Sequence, residues 1–289
     1  MLKPRIIGVL IIRDNHVVQS IGFNKYLPVG KPEIAVEFLN SWGIDEIIIL
    51  DISASVKNNH PNINLVKDCA SFCHVPLSVG GGVHDLHHIE NLIEAGADKV
   101  ILNSSLIEKP ELVTIGARYF GNQSIVGSID LIKNKDSSYE VVISNGKNKT
   151  GIQLEILAKK IEDLGGGEIF LNSVERDGAK NGYDIEMLKI VKNIVNIPVI
   201  LCGGAGHPLH LLEGIRAGAN AVAVGNYFHY AEHNVILTKK YLKQMDINVR
   251  YDNYIRYENI DLDKYFRLQK ADEQYLTQLR FQYIPEEKI

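Results

Sequence analysis

Two glycine clusters carry the most specific chemical signal in the sequence. Gly80-Gly81-Gly82 and Gly203-Gly204 each follow an aliphatic run and precede a helix-period stretch. Without Cβ atoms, the backbone N–H groups stand unshielded at a helix N-terminus, an arrangement that favours an anion. Asn103-Ser104 and Gly225-Asn226 end the next apolar run after each cluster and offer neighbouring donors. The pairing implies a ligand carrying two phosphates, because a tight turn alone does not require both glycines in both places. A second signal is the polar residue that closes several apolar runs: Asp51, Asn103, Asp130, Asn172 and Asp177. Asp130, in SIDLIKN, is placed to act as general acid or base; Asp177, in ERDGAKNGYD, shares that work or holds substrate. Taken singly, each also fits a loop anchor or a helix cap.

Other chemistries are poorly supported. Cys69 and Cys73 lie one helical turn apart, but no further ligand stands at finger-like spacing, so they read as small buried apolar residues. The run HDLHH, with His84, His87 and His88, reads as a solvated helix face, and no metal and no redox cofactor are expected. Three cysteines cannot all pair, which argues for reduced thiols. Lys and Arg total 31 against 35 Asp and Glu, a net charge of -4 that gives no global pull toward nucleic acid or an anionic membrane. No apolar run approaches the roughly 20 residues that span a bilayer, and the first residues lack a signal-peptide cleavage site. The expectation is a cytoplasmic protein.

The elements that must position these residues alternate regularly. RIIGVLII, DEIIILDI, VPLSV, DKVILN, SIVGSIDL, GEIFLNS, IPVILC and NAVAVG are each followed by a candidate helix. Near-continuous Val, Ile and Leu content marks strands covered on both faces, and eight βα units in about 250 residues predict a single (β/α)8 TIM barrel. An offset of 122 superposes Gly43-IDEIIILDIS on Gly165-GGEIFLNSVE, Ala95-GADKVILNS on Ala217-GANAVAVGN, and Gly81-Gly82 on Gly203-Gly204. Such self-similarity is the mark of half-barrel internal duplication, and it places the two anion sites on opposite sides of one mouth. A three-residue shift aligns Ile6-IGVLI with Ile125-VGSID, so Ile11 faces Asp130. At the opposite end Arg5, Glu46, Lys99 and Glu168 start strands and can form a ring of alternating sign, either a salt-bridged floor or a hydrated gate. The barrel is assigned to residues 1–250. Residues 251–289 form a Tyr-rich C-terminal extension with a plausible amphipathic helix from Asp261 to Phe281, packed across the barrel or offered to a partner.

Together these residues resemble the HisF family, the cyclase subunits of imidazole-glycerol-phosphate synthase. RIIGVL, GIDEIIILDISAS, LSVGGGVHD, GADKVILNSS, SVERDGAKNGYD, CGGAG and INVR resemble family signatures in order, over about residues 3 to 250. The resemblance implies a HisH-like glutaminase docked on the barrel floor, with Asp98 at a family interface position. It implies that ammonia crosses the Arg5, Glu46, Lys99 and Glu168 gate and reaches the opposite mouth. There the family splits and cyclises a bisphosphorylated ribulosyl-imidazole. Family phosphate positions fall on Gly82, Asn103 and Ser104 on one side and on Asp177, Gly178, Gly204, Gly225 and Asn226 on the other.

One departure bears directly on the chemistry. The family uses two aspartates as an acid/base pair, one matched by Asp130 and one ending strand one, where this chain has Ile11. Isoleucine has no proton to exchange, and positioned acid/base help supplies roughly 10²–10⁴-fold in rate. The family's lysine in the following loop is replaced by Gln19, although Phe23 remains. Three readings follow. In one, the chain is the histidine-pathway cyclase and Asp14, Asp51 or Asp177 takes over the missing role. In a second, it is a paralogue that keeps the conduit and partner surface but supplies ammonia to a sugar amidotransferase in surface-polysaccharide biosynthesis; the lack of the first aspartate favours it. A non-catalytic scaffold is the third, and the retained Asp130 and both glycine sets speak against it. Ile11 also argues against the related sugar isomerase of the histidine pathway, which shares the duplication.

Overall fold

Runs such as EIIILD and AVAV are apolar at nearly every position, so they bury both faces and suit strands wrapped by helices. The computed structural model describes residues 3–57, 60–230, 233–251, 262, 263 and 269. Among them lie strands β1 (Arg5–Arg13), β2 (His16–Ile21), β3 (Lys25–Gly30), β4 (Glu46–Asp51), β5 (Leu77–Gly80) and β6 (Lys99–Leu102). The second half supplies β7 (Ile125–Lys133), β8 (Tyr139–Ile143), β9 (Asn148–Gln153), β10 (Glu168–Ser173), β11 (Val199–Cys202) and β12 (Ala221–Val224). Eight of them pair in parallel in the order β1-β4-β5-β6-β7-β10-β11-β12. β12 then pairs with β1, Arg5 opposite Ala221 through Gly8 opposite Val224, and closes a (β/α)8 barrel. Helices including Pro32–Ser41, Leu86–Glu94, Leu154–Asp163 and Pro208–Arg216 return the chain between strands. By its contacts the chain divides into Met1–Asn253 and Tyr254–Ile289. The helix expected between Asp261 and Phe281 falls almost wholly outside the described residues. No helix among the described residues is long and apolar enough to cross a membrane.

The interior is layered because alternate strand residues point inward. Arg5, Glu46, Lys99 and Glu168 form the lowest layer. Ile7, Val9, Ile48, Ile101, Val126, Phe170, Ile200, Ala221 and Ala223 fill the middle, with Ile11, Leu50 and Cys202 packed against them. Asn103, Asp130 and Asn172 lie above.

Two features add to the sequence-based architecture. The chain does not pass directly from β1 or from β7 to a helix: β2–β3 and β8–β9 form antiparallel hairpins on those strands. Each half of the duplication therefore carries one hairpin over the mouth. Their turns run through positive φ, at Gly22 and Phe23 in the first and at Ser144, Asn145 and Gly146 in the second. The other feature is a buried ion pair. Lys239 Nζ lies 2.5 Å from Asp45 Oδ1 and donates to Gly43 O at 2.6 Å, while Asp45 Oδ2 accepts from Ile6 N at 2.8 Å. These contacts fasten helix Asn234–Gln244 to the β1–β4 edge of the barrel.

Candidate functional site

Backbone geometry makes the glycine clusters obligatory. Gly81 has φ +115°, and a Cβ there would lie 2.3 Å from Asp51 O. At its repeat equivalent, Gly203, φ is +92° and a Cβ would lie 2.7 Å from Ser173 O. Each loop therefore presses against the end of the preceding strand, which no side chain permits. Gly82 and Gly204 follow at φ +70° and +100°. The loops edge a solvent-open cleft of about 990 Å³ at the C-terminal ends of the strands, lined by Gly81, Gly82, Asn103, Ser104, Asp130 and Asn172 from the strand ends. Phe23 and Tyr26 of the first hairpin and Ser144 and Asn145 of the second join them. A smaller pocket beside it takes in Asp177, Gly178, Gly203, Gly204, Gly225 and Asn226; Ile11, Phe23, Leu50 and Asn172 border both.

Asp130 is the chemically distinctive group. Its Oδ2 accepts from Asn103 Nδ2 and its Oδ1 from Asn172 Nδ2, each at 3.1 Å. Burial pushes the carboxyl up to about 7; the two amide donors, which favour the charged form, only partly oppose it. A group poised there exchanges protons near neutral pH. Pairing of Asp130 with Val142 also anchors the second hairpin beside it.

The other carboxylates are committed elsewhere. Asp51 Oδ1 accepts from Ser53 N at 2.9 Å and from Ala54 N at 3.2 Å, the signature of a helix start, although the residue lines the cleft. Asp177 Oδ2 accepts from Ser20 Oγ at 2.6 Å and from Phe23 N at 3.3 Å. Burial holds its carboxyl above the ordinary carboxylate range. Asn226 brackets the same hairpin, accepting from Ser20 N at 3.2 Å and donating to Ser20 O at 2.6 Å. Asp14 sits in the β1–β2 turn with its side chain 59% exposed, 4.0 Å from Arg13 Nε. Ile11 pairs with Leu50 across the β1–β4 ladder and contributes hydrocarbon to the mouth.

The histidine run is not the uniformly solvated face expected of it. His87 is exposed, but His88 is buried, accepts from His84 N through Nδ1 at 3.2 Å and packs against His60 in a tilted ring contact with centroids 4.7 Å apart. His88 turns inward because Asp85 caps the helix start, accepting from His88 N at 2.9 Å. His84 Nε2 is buried without a hydrogen-bond partner among the described residues, and His84 lines the cleft. The thiols are free; burial pushes Cys69 up to about 12 and also raises Cys202, which borders the smaller pocket.

At the floor the four charged side chains close a ring. Arg5 Nη1 lies 2.6 Å from Glu46 Oε2 and Nη2 pairs with Glu168, while Lys99 Nζ is 2.9 Å from both Glu46 Oε1 and Glu168 Oε2. Ser78 Oγ adds a donor to Glu46 at 2.8 Å, a partner that the alternation of charge gave no reason to expect. Glu46 and Glu168 are buried, so removing either cation would leave a buried carboxylate without its full set of partners. Asp98 is exposed next to Lys99 and accepts from Leu77 N at 2.8 Å.

A closed barrel of two similar halves, with glycine loops and a buried carboxyl at one mouth and a four-charge ring at the other, defines a duplicated (β/α)8 protein whose polar site is built from both halves. A family model described as "Histidine biosynthesis protein" matches residues 5–234. Among relatives, a Vibrio vulnificus (strain YJ016) protein with the provisional name imidazole glycerol phosphate synthase subunit hisF2 is 42% identical over 91% of this chain and 97% of its own. Imidazole glycerol phosphate synthase subunit HisF of Thermotoga sp. (strain RQ2) is 40% identical over 86% and 98%, and that of Streptococcus mutans serotype c is 38% identical over 86% and 100%. The chain belongs to this histidine-biosynthesis family and, within it, to the HisF group.

Proposed function

We propose that this HisF-family chain receives ammonia from a HisH-like glutaminase at the barrel floor and releases it at the opposite mouth. There it serves sugar amidation in surface-polysaccharide biosynthesis, through a sugar amidotransferase, rather than imidazole cyclisation. The observation that carries the reading is Ile11. It occupies the place of the family's first catalytic aspartate, and the carboxylates able to replace it are otherwise engaged: Asp51 in a helix start, Asp177 in the hairpin, Asp14 in an exposed turn. A conduit needs the ring and the barrel interior, not a second proton donor. The nonpolar middle layer suits this role, since neutral ammonia crosses hydrocarbon far more cheaply than ammonium does. In this account Arg5, Glu46, Lys99 and Glu168 gate the entrance and Asp98 meets the glutaminase. The glycine loops, with Asn103, Ser104, Gly178, Gly225 and Asn226, hold a phosphorylated or nucleotide-linked ligand. Asp130 keeps a proton-exchange role at the exit.

The second reading is the family's own cyclase, favoured by the intact Asp130 site and by the relatives' names. Association separates the conduit from an isolated enzyme: a HisH-like glutaminase should bind the chain at micromolar concentration, and Asp98→Lys together with Lys99→Glu should abolish binding. No association of the unaltered chain in a pull-down would remove the basis for the conduit.

A further inference from the structure

We infer that Lys180 is the cation of the mouth: held over the ring of Tyr230, it moves onto the phosphate group of a sugar or nucleoside phosphate bound at the Gly204 and Gly225 loops. The inference rests on the reading that the mouth binds a phosphorylated ligand, and it names the side chain that answers the ligand's charge.

The charges around the mouth point to this residue. Among the described residues, four carboxylates line the cleft and the smaller pocket beside it: Asp51, Glu108, Asp130 and Asp177. The same two linings contain one lysine or arginine, Lys180, in the smaller pocket. Backbone N–H groups orient an anion but carry only partial charge, so a phosphate dianion brought among carboxylates needs a full positive charge beside it. Arg176, in the same loop after β10, is otherwise engaged. Its guanidinium donates to Asn181 O and Gly182 O at 3.4 and 3.1 Å and lies 3.8 Å from Asp184. Lys180 meets no carboxylate among the described residues; its Nζ lies 3.8 Å from the centre of the Tyr230 ring.

The backbone holds Lys180 in place at a cost. Its φ is +59°, in the left-handed region that an L side chain rarely occupies. Gly206 faces it: a Cβ at 206 would lie 2.5 Å from Lys180 Cβ, so glycine is what lets the two loops close. Gly182 N, donating to Gly204 O at 2.9 Å, joins the same loops. Folding alone does not require a lysine here, because glycine at 180 would adopt this φ freely. Strain kept beside the Gly203-Gly204 turn therefore points to work done by the side chain.

Tyr230 suits a resting place rather than a final partner. Its ring is 42% exposed, and a cation over an aromatic face near solvent gains only about 2- to 5-fold in an equilibrium. A hydrogen bond between charged groups gains about 10- to 100-fold, so an arriving phosphate draws the ammonium off the ring. Until then the ring, unlike a carboxylate, holds the ammonium without neutralising it.

The test is calorimetric titration of the full chain with ribose 5-phosphate at low and high ionic strength. Lys180→Met should weaken binding about 10- to 100-fold and reduce its salt dependence, and Lys180→Arg, which keeps the charge, should bind within about threefold of the unaltered chain. Lys180→Gly separates a ligand role from a structural one. Relieved of the left-handed strain, it should unfold at a urea concentration no lower than the unaltered chain does, yet bind as weakly as Lys180→Met. Tyr230→Leu removes the resting place and should tighten binding about 2- to 5-fold. Unchanged affinity and salt dependence in Lys180→Met, or lost stability with unaltered binding in Lys180→Gly, would overturn the assignment and leave the phosphorylated-ligand reading standing. Absence of binding by the unaltered chain would overturn that reading and the assignment with it.

Discussion

Replacing Asp130 by asparagine removes a titration whose thermodynamic signature follows from its surroundings. Burial pushes the carboxyl up to about 7 in the folded protein, against about 3.9 in an unfolded chain. Between those values the folded state holds a proton that the unfolded chain has released. Stability therefore falls as pH rises from about 4 to about 7 and levels off beyond, opposite in sign to a salt-bridged aspartate. Integrating the two titration curves from pH 5 to pH 8 gives a loss of about 2–3 kcal/mol attributable to this residue. The substituted amide cannot titrate. It does present an NH₂ group where Asn103 or Asn172 now donates, a pH-independent cost of about 1 kcal/mol. Urea unfolding of both proteins should show the unaltered chain losing about 2–3 kcal/mol relative to Asp130→Asn between pH 5 and pH 8. A difference constant to within about 0.5 kcal/mol would refute the assignment of a buried, largely desolvated carboxyl.

Further expectations concern the scaffold and the missing carboxylate. Lys239→Ala strands the buried Asp45 charge and should cost about 3–5 kcal/mol in chemical unfolding, whereas Lys239→Met with Asp45→Asn, which keeps an acceptor for Ile6 N, should recover at least half of that. Gly81→Ala drives a Cβ against Asp51 O and should cost about 2–3 kcal/mol; Gly22→Ala, also at positive φ but with nothing within 4 Å, should cost no more than about 1 kcal/mol. Equal effects would mean that the loop relaxes away from the strand end. Ile11→Asp should raise ammonia-dependent cyclisation of the family's ribulosyl-imidazole by roughly 10²-fold or more if the rest of the acid/base site is intact. No gain would place further divergence at Gln19 or elsewhere in the β2–β3 hairpin.

The barrel was legible because burial on both faces writes itself into composition: all eight parallel strands coincide with aliphatic runs, to within two residues at most ends. The duplication was legible for a related reason, since Gly81 and Gly203 meet the same steric demand at equivalent places. The hairpins were missed although SYEVVISNGKNKTGIQ contains alternation around an Asn145-Gly146 turn, a recognisable signal eclipsed by the neighbouring helix periods. Lys239 and Asp45 are 194 residues apart and lie in unremarkable sequence, so nothing local marks their pairing. Likewise, the use of Asp177 and Asn226 by Ser20 depends on how a hairpin folds back over the barrel, which spacing alone does not encode. His88 was misread because helix periodicity gives only relative faces; His60 and Asp85 decide which side packs.

The proposal that this HisF-family barrel has given up cyclisation and kept the conduit makes a direct prediction about turnover. It is tested most directly by following ammonia-dependent turnover of the bisphosphorylated ribulosyl-imidazole by the purified full chain, without glutaminase, at alkaline pH where free ammonia is available. No detectable turnover is expected under conditions where phosphate still binds the mouth. Robust turnover would contradict it, establish the chain as a cyclase, and require Asp14, Asp51 or Asp177 to supply the proton transfer that Ile11 does not.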